Sequence, residues 1–214
     1  YLQQHKQRAA SVNPSNRSNW RISMSTTRFT YRLAAFAAIT SAAALLTACG
    51  SMKSPASSFS QASLPAPIQV PAGHKVAWET VGSGDITYEC RDKTNAPGQT
   101  EWVFVGPDAV LKDRSGKTVG RYYGPPATWE ANDGSKLTAT QLAVAPSSPG
   151  SLPYQLVKAN PAMGAGALVD VSYIQRVALQ GGVAPADKPC TTATKGQKTM
   201  VKYQADYIFW KPTM

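Results

Sequence analysis

Thr199-Met200-Val201-Lys202-Tyr203-Gln204-Ala205-Asp206-Tyr207-Ile208-Phe209-Trp210 reads as a β-strand and decides the fold class. Met200, Lys202, Gln204 and Asp206 alternate with Val201, Tyr203, Ala205 and Tyr207. A period of two is that of a strand with one wet and one dry face. Similar short segments, rich in β-branched and aromatic residues, predict strands at Lys75–Val81, Asp85–Arg91, Glu101–Val105, Ala109–Asp113, Thr118–Tyr123, Lys136–Ala145 and Leu168–Leu179. Gly82-Ser83-Gly84, Arg114-Ser115-Gly116 and Asn132-Asp133-Gly134 read as turns between them. The one stretch with a helical look, Tyr154–Lys158, is too short to count. The expected fold is mainly β: a single antiparallel β-sandwich or barrel-like domain with long loops. No internal repeat is visible.

Upstream, the chain changes character. Met24 is followed by a short positive segment ending in Arg32, and Leu33 to Leu46 is apolar apart from Thr40 and Ser41. Leu46-Thr47-Ala48-Cys49 closes it. Charged start, apolar middle and small residues before a cut form a signal peptide of the general secretory route, expected over 24–48. Its apolar middle has about fourteen residues, short of the roughly 20 that span a bilayer. Residues 1–23 read as a disordered extension or translated upstream sequence, with Met24 the favoured start. From Ser51 to Gly73 the composition is Ser, Ala and Pro. That predicts a tether over 49–72, with Leu64 to Val70 open to a second reading as an extended arm packed on the domain. The folded domain is then expected over 73–214.

The charge follows this division. The chain holds 22 Lys+Arg and 12 Asp+Glu, a net of +10. Residues 1–48 carry six of the basic residues and no acidic one, so the rest has a net of +4. A nucleic-acid binder would keep its basic stripe in the folded part, so no nucleic-acid partner is expected.

Two cysteines follow Cys49. Cys90 and Cys190 are read as a disulfide, formed in an oxidising compartment. Its loop of about 100 residues would contribute about 4–5 kcal/mol in the chain-entropy model. The rival reading, a catalytic thiol, needs a base, and after Cys49 the chain has only His74. That single histidine excludes a multi-His zinc site, and its place beside Gly73 suits an exposed or half-packed residue. No Gly-x-Ser-x-Gly elbow or Gly-x-x-x-x-Gly-Lys loop occurs. Gly164-Ala165-Gly166 reads as a flexible turn. No cofactor and no metal site is expected.

Trp129-Glu130-Ala131-Asn132-Asp133-Gly134-Ser135 holds the one notable carboxylate pair. Glu130 and Asp133 beside Trp129 and Tyr122 form a candidate ligand or ion site. Paired carboxylates serve glycoside chemistry, and with Asn132 they could hold a cation. The plainer reading is a hairpin turn with Trp129 in the core. Asp170 and Asp206 are each candidate partners of Arg176, the one basic residue in an otherwise apolar strand, in a buried ion pair or a hydrogen-bond network. The many aromatics after residue 73 read mainly as core, with a flat ligand-stacking row as the alternative.

Two resemblances add to this. Leu46-Thr47-Ala48-Cys49 resembles the lipobox of bacterial lipoproteins, which implies cleavage before Cys49 and acylation there, with palmitate among the chains. Gly50, not being Asp, implies sorting to the outer membrane of a Gram-negative bacterium. The domain resembles the secreted family called domain of unknown function 3455. The resemblance rests on Tyr88-x-Cys90, Trp102-x-Phe104 with Pro107-x-Ala109-x-Leu111, and Gly124-Pro125 followed by Thr128-Trp129-Glu130 and Asp133-Gly134-Ser135. Ser172-Tyr173-Ile174-Gln175-Arg176-Val177, Gly181-Gly182-Val183-Ala184-Pro185 with Cys190, and Tyr203-x-Ala205-Asp206-Tyr207-x-Phe209 complete it. The family often has a His near Tyr122, where this chain has Arg121 and Tyr123. The family implies an extracytoplasmic β-rich domain and no particular activity.

The expected function is an outer-membrane-anchored envelope lipoprotein that binds a glycan or protein partner or has a structural role. Alternatives are a glycan hydrolase or lyase using Glu130 and Asp133, and a self-associating fibre or matrix component.

Overall fold

The computed structural model describes residues 59–214. The expected signal peptide, its Met24 start, the 1–23 extension and the lipidated Cys49 lie outside the described residues. Eight strands follow one another: β1 (His74–Asp92), β2 (Thr100–Lys112), β3 (Thr118–Tyr123), β4 (Thr128–Ala131), β5 (Lys136–Ala145), β6 (Tyr154–Ala159), β7 (Tyr173–Gly181) and β8 (Lys198–Pro212). Each pairs antiparallel with the next, and β8 pairs with β1, closing a barrel in sequence order. The mainly β expectation is met in its barrel form. Closure leaves few free edges to manage.

The alternation of β8 sets the wall. Tyr203, Ala205, Tyr207 and Phe209 point inward and are buried, while Lys202, Gln204 and Asp206 face out. Ile86, Leu111, Tyr122, Trp129, Leu137, Val157 and Ile174 fill the interior with them. A mainly apolar interior, with Lys202, Gln204 and Asp206 on the outer face of β8, differs from the polar lumen and apolar outer band of a transmembrane barrel.

Several sequence expectations are corrected. Gly82-Ser83-Gly84 is not a turn: it lies inside β1, so two expected strands are one. A Cβ on Gly82 would sit 2.7 Å from the Tyr207 ring, and one on Gly84 would sit 2.1 Å from the Asp108 carbonyl oxygen. Glycine is there because ring and backbone approach so closely. Glu101–Val105 and Ala109–Asp113 likewise merge into β2. β4 and β6 were not expected as strands; β6 covers the stretch with the helical look. The strand expected from Leu168 begins only at Tyr173, after a turn with Asp170 at φ +62°, though Leu168 and Val171 remain buried. The turns at 114–116 and 132–134 are found.

The described part of the expected tether is an arm packed on the outer wall, the second of the two readings, and the packing takes in Phe59 as well as Leu64 to Val70. Ile68 and Val70 are buried against Ala145, Leu156, Val177, Ile208 and Trp210, with Phe59 and Leu64 beside them. This explains why β8 ends in the unbroken run Tyr207-Ile208-Phe209-Trp210: the arm covers the outer face there, so both faces are dry. Gln175, fully buried in the outer wall, donates to the Ile68 carbonyl at 2.7 Å and to Gln61 Oε1 at 3.0 Å. Its own oxygen accepts from Trp210 Nε1 at 2.8 Å. Gln61 in turn pairs through its amide with both backbone groups of Val70.

Candidate functional site

The four residues of the expected ligand site are not brought together on one face. Tyr122 and Trp129 face each other across β3 and β4, with rings stacked at 4.6 Å. Both are buried inside the barrel against Tyr207, at 5.0 and 5.7 Å. Glu130 follows Trp129 on the strand and therefore points to the other face. There it accepts from Tyr123 Oη at 2.7 Å and Arg121 Nη2 at 3.2 Å. The Tyr123 hydroxyl above all, with the Arg121 charge, holds its carboxyl below the usual range.

Asp133 sits in the β4–β5 turn. Its Oδ1 accepts from Ser135 N at 2.9 Å and Ser135 Oγ at 2.6 Å, and its Oδ2 accepts from Ala167 N at 2.7 Å. These bonds, the Ser135 hydroxyl first, depress its pKa. Asp133 therefore buckles the Gly164-Ala165-Gly166 loop onto the hairpin. Asn132 donates to Thr118 O at 2.9 Å and is not turned to a shared ion site. Among the described residues no group of three or more His, Cys, Asp or Glu is placed to hold a metal ion. His74 lies edge-on to Tyr173 at 4.9 Å.

The interior holds a polar cluster that the sequence reading did not assemble. Neither expected carboxylate partners Arg176. Asp206 is on the outer wall, where Arg114 binds it at 2.7 Å and Glu79 at 2.9 Å, and Asp170 lies in the turn before β7. On β7, Gln175 and Val177 face the arm, and Ile174 faces the core. Arg176 shares the inner face with Ile174 and is in direct register with the fully buried Tyr207. Its Nη2 donates to Pro153 O at 3.0 Å, and its buried Nε has no partner. No carboxylate among the described residues lies within ion-pair distance of it. Burial raises the phenol pKa values of Tyr88, Tyr122, Tyr203 and Tyr207, and the Arg176 charge offsets part of each rise. The Tyr203 and Tyr207 hydroxyls are 3.3 Å apart. The visible signal in the sequence was the lone Arg among apolar neighbours.

One barrel end carries the connections β1–β2, β3–β4, β5–β6 and β7–β8, and Pro153 belongs to the third of these. The longest, 182–197, is fastened there by the Cys90–Cys190 disulfide. Tyr88 Oη donates to Gly182 O at 2.7 Å, Trp102 Nε1 to Lys188 O at 2.7 Å, and Thr100 Oγ1 to Cys190 O at 2.9 Å. The loop is thus a clasped cap at the end where Arg176 lies. Most aromatics serve the core; Phe104, 45% exposed, stands at this same end edge-on to Tyr88.

No curated protein and no solved structure matches the chain. Residues 71–211 match the family described as Protein of unknown function (DUF3455). The matched stretch runs from just before β1 to the penultimate residue of β8 and so takes in the whole barrel. The chain therefore belongs to the DUF3455 family of proteins of unknown function.

Proposed function

We propose that the protein is an outer-membrane lipoprotein whose barrel is a binding module of the cell envelope. The observation that carries the binding half is the donor-rich inner cluster of Arg176 and four phenols beneath a clasped cap. Glu130 and Asp133, the candidate catalytic pair, are committed to a cross-strand pair and a turn, on different parts of the hairpin. The anchoring half is supported by the order of residues from Arg28 to Cys49. Acyl chains on Cys49, at about 0.8 kcal/mol per buried CH₂, would hold the protein on a membrane. Phe59, packed on the barrel wall, lies ten residues after Cys49, so the lipid and the barrel would be at most about 36 Å of chain apart.

The test is metabolic labelling with an alkyne palmitate in cells expressing the full chain. The label is expected on wild type in the outer-membrane fraction and absent from Cys49→Ala, which is released as a soluble periplasmic form. Equal labelling of both, or an unlabelled soluble wild type, overturns the anchor.

A further inference from the structure

We propose that Arg176 is the anion clamp of a ligand site in the barrel mouth, and that the ligand is a small organic monocarboxylate with an apolar body. The inference rests on the binding-module reading above and not on the lipid anchor.

A single row of paired residues crosses four strands: Val144, Gln155, Arg176 and Tyr207. Paired residues share a face, and Ala143 and Ala145 on either side of Val144 belong to the outer, arm-covered cluster. The row therefore lies on the inner side. It passes from solvent to core: Val144 is 48% exposed, Arg176 is half-buried and Tyr207 is fully buried. Arg176 thus stands between the exposed rim and the packed interior, half-buried and next to the Tyr207 ring.

Three buried polar atoms among the described residues lack a partner: Arg176 Nε and Trp129 Nε1, which can only donate, and the Thr80 hydroxyl opposite Tyr207. Arg176 uses one of its five N–H donors on Pro153 O, and its buried Nε has no partner. Trp129 Nε1, 2% exposed and in the same aromatic cluster, is a second buried donor without a partner. A guanidinium fork facing no carboxylate matches a planar carboxylate in two parallel bonds. The row supplies one positive charge, and Lys202, beside Tyr203 on β8, faces outward and pairs with Asp85 at 2.8 Å. One charge balances a monoanion, whereas a phosphate ester near neutral pH carries about −1.5 to −2. The interior of an eight-stranded barrel has room for at most one small ligand. The ligand's apolar part would lie toward the rim, against Val144, 48% exposed on the same row.

The test uses the soluble Cys49→Ala protein, exported so that Cys90–Cys190 forms, and the membrane-extracted wild type. Benzoate and hexanoate are the probes, with benzyl alcohol and inorganic phosphate as comparators. The readouts are calorimetric titration and thermal unfolding. Saturable binding of at least one carboxylate, with a melting temperature that climbs with its concentration, is expected in both proteins. Benzyl alcohol and phosphate should be at least tenfold weaker. Arg176→Met should abolish the response, and Arg176→Lys, which keeps the charge but loses the fork, should weaken it at least tenfold. If Arg176→Met does not fold, the Lys variant and the carboxylate-over-alcohol preference still decide. No carboxylate binding, phosphate binding as tight as the carboxylates, or unchanged binding in the Lys variant overturns the site. A failed palmitate label with retained benzoate binding removes the anchor alone.

Discussion

Gln175 Nε2 donates to the Ile68 carbonyl at 2.7 Å, tying β7 to an arm 107 residues earlier in the chain. This bond orders a Ser-, Ala- and Pro-rich stretch whose composition alone would leave it free. Leucine fits the Gln175 site in volume but leaves the buried Trp210 N–H and Ile68 C=O without partners. At about 1–3 kcal/mol for each orphan, Gln175→Leu should lower unfolding stability by about 3 kcal/mol. Hydrogen exchange should show the amides of 61–70 opening well before the barrel. A variant that loses stability with the arm still protected would mean that Gln175 acts on the barrel wall alone.

Cys90 and Cys190, 100 residues apart, join the end of β1 to the cap. Closing a loop of that length removes unfolded-state entropy worth about 4.7 kcal/mol in the chain-entropy model. Denaturant unfolding with and without a thiol reductant should differ by roughly that amount. Exchange in reduced protein should rise first over 182–197. The bonds of Tyr88, Thr100 and Trp102 to the cap should keep the barrel itself closed. A reduced protein as stable as the oxidised one would contradict this.

Alkali should unfold the protein through its interior phenols. Burial raises the pKa values of Tyr88, Tyr122, Tyr203 and Tyr207 above the unfolded value of 10.0, Arg176 notwithstanding. The folded state then keeps protons that the unfolded state gives up. Their contribution is intact below pH 10 and falls as pH rises beyond it. Phenolate absorbance should show the four interior tyrosines ionising together with loss of β-sheet circular dichroism. Independent, non-cooperative ionisation of all the tyrosines would refute it.

The fold class was legible because β8 alternates so regularly. The arm was legible in principle at the same place: Ile208 and Trp210 break the alternation, and an apolar residue on the wet face needs a cover. Glycine misled in β1, because turn propensity and close-approach propensity select the same residue; only the position of Tyr207 and Asp108 across the sheet tells them apart. Trp129 was correctly placed in the core, and the strand period that buries it turns Glu130 away. Arg176 stands out in the sequence as a lone charge in an apolar strand, but its partners do not. Its surroundings depend on the registers of β6 and β8, which no local pattern encodes.

The two glycines of β1 separate these causes experimentally. Gly82 and Gly84 have φ outside the left-handed region, so alanine meets no backbone strain there, only neighbours. At Gly82 the new Cβ meets the Tyr207 ring, which can shift a little; overpacking of this kind costs about 1–3 kcal/mol. At Gly84 it meets the Asp108 carbonyl oxygen at 2.1 Å and the Ala109 Cα at 2.6 Å, which cannot move without parting β1 from β2. Gly116 is the opposite case: φ is +86° and nothing lies within 4 Å of the added atom, so alanine there is strained but unobstructed, at about 1 kcal/mol. Gly116→Ala should therefore fold with a slightly lower melting temperature, Gly82→Ala with a clearly lower one, and Gly84→Ala should fail to fold. If Gly84→Ala folds as well as Gly116→Ala, then β1 does not run unbroken past β2 and the 82–84 stretch is a turn after all.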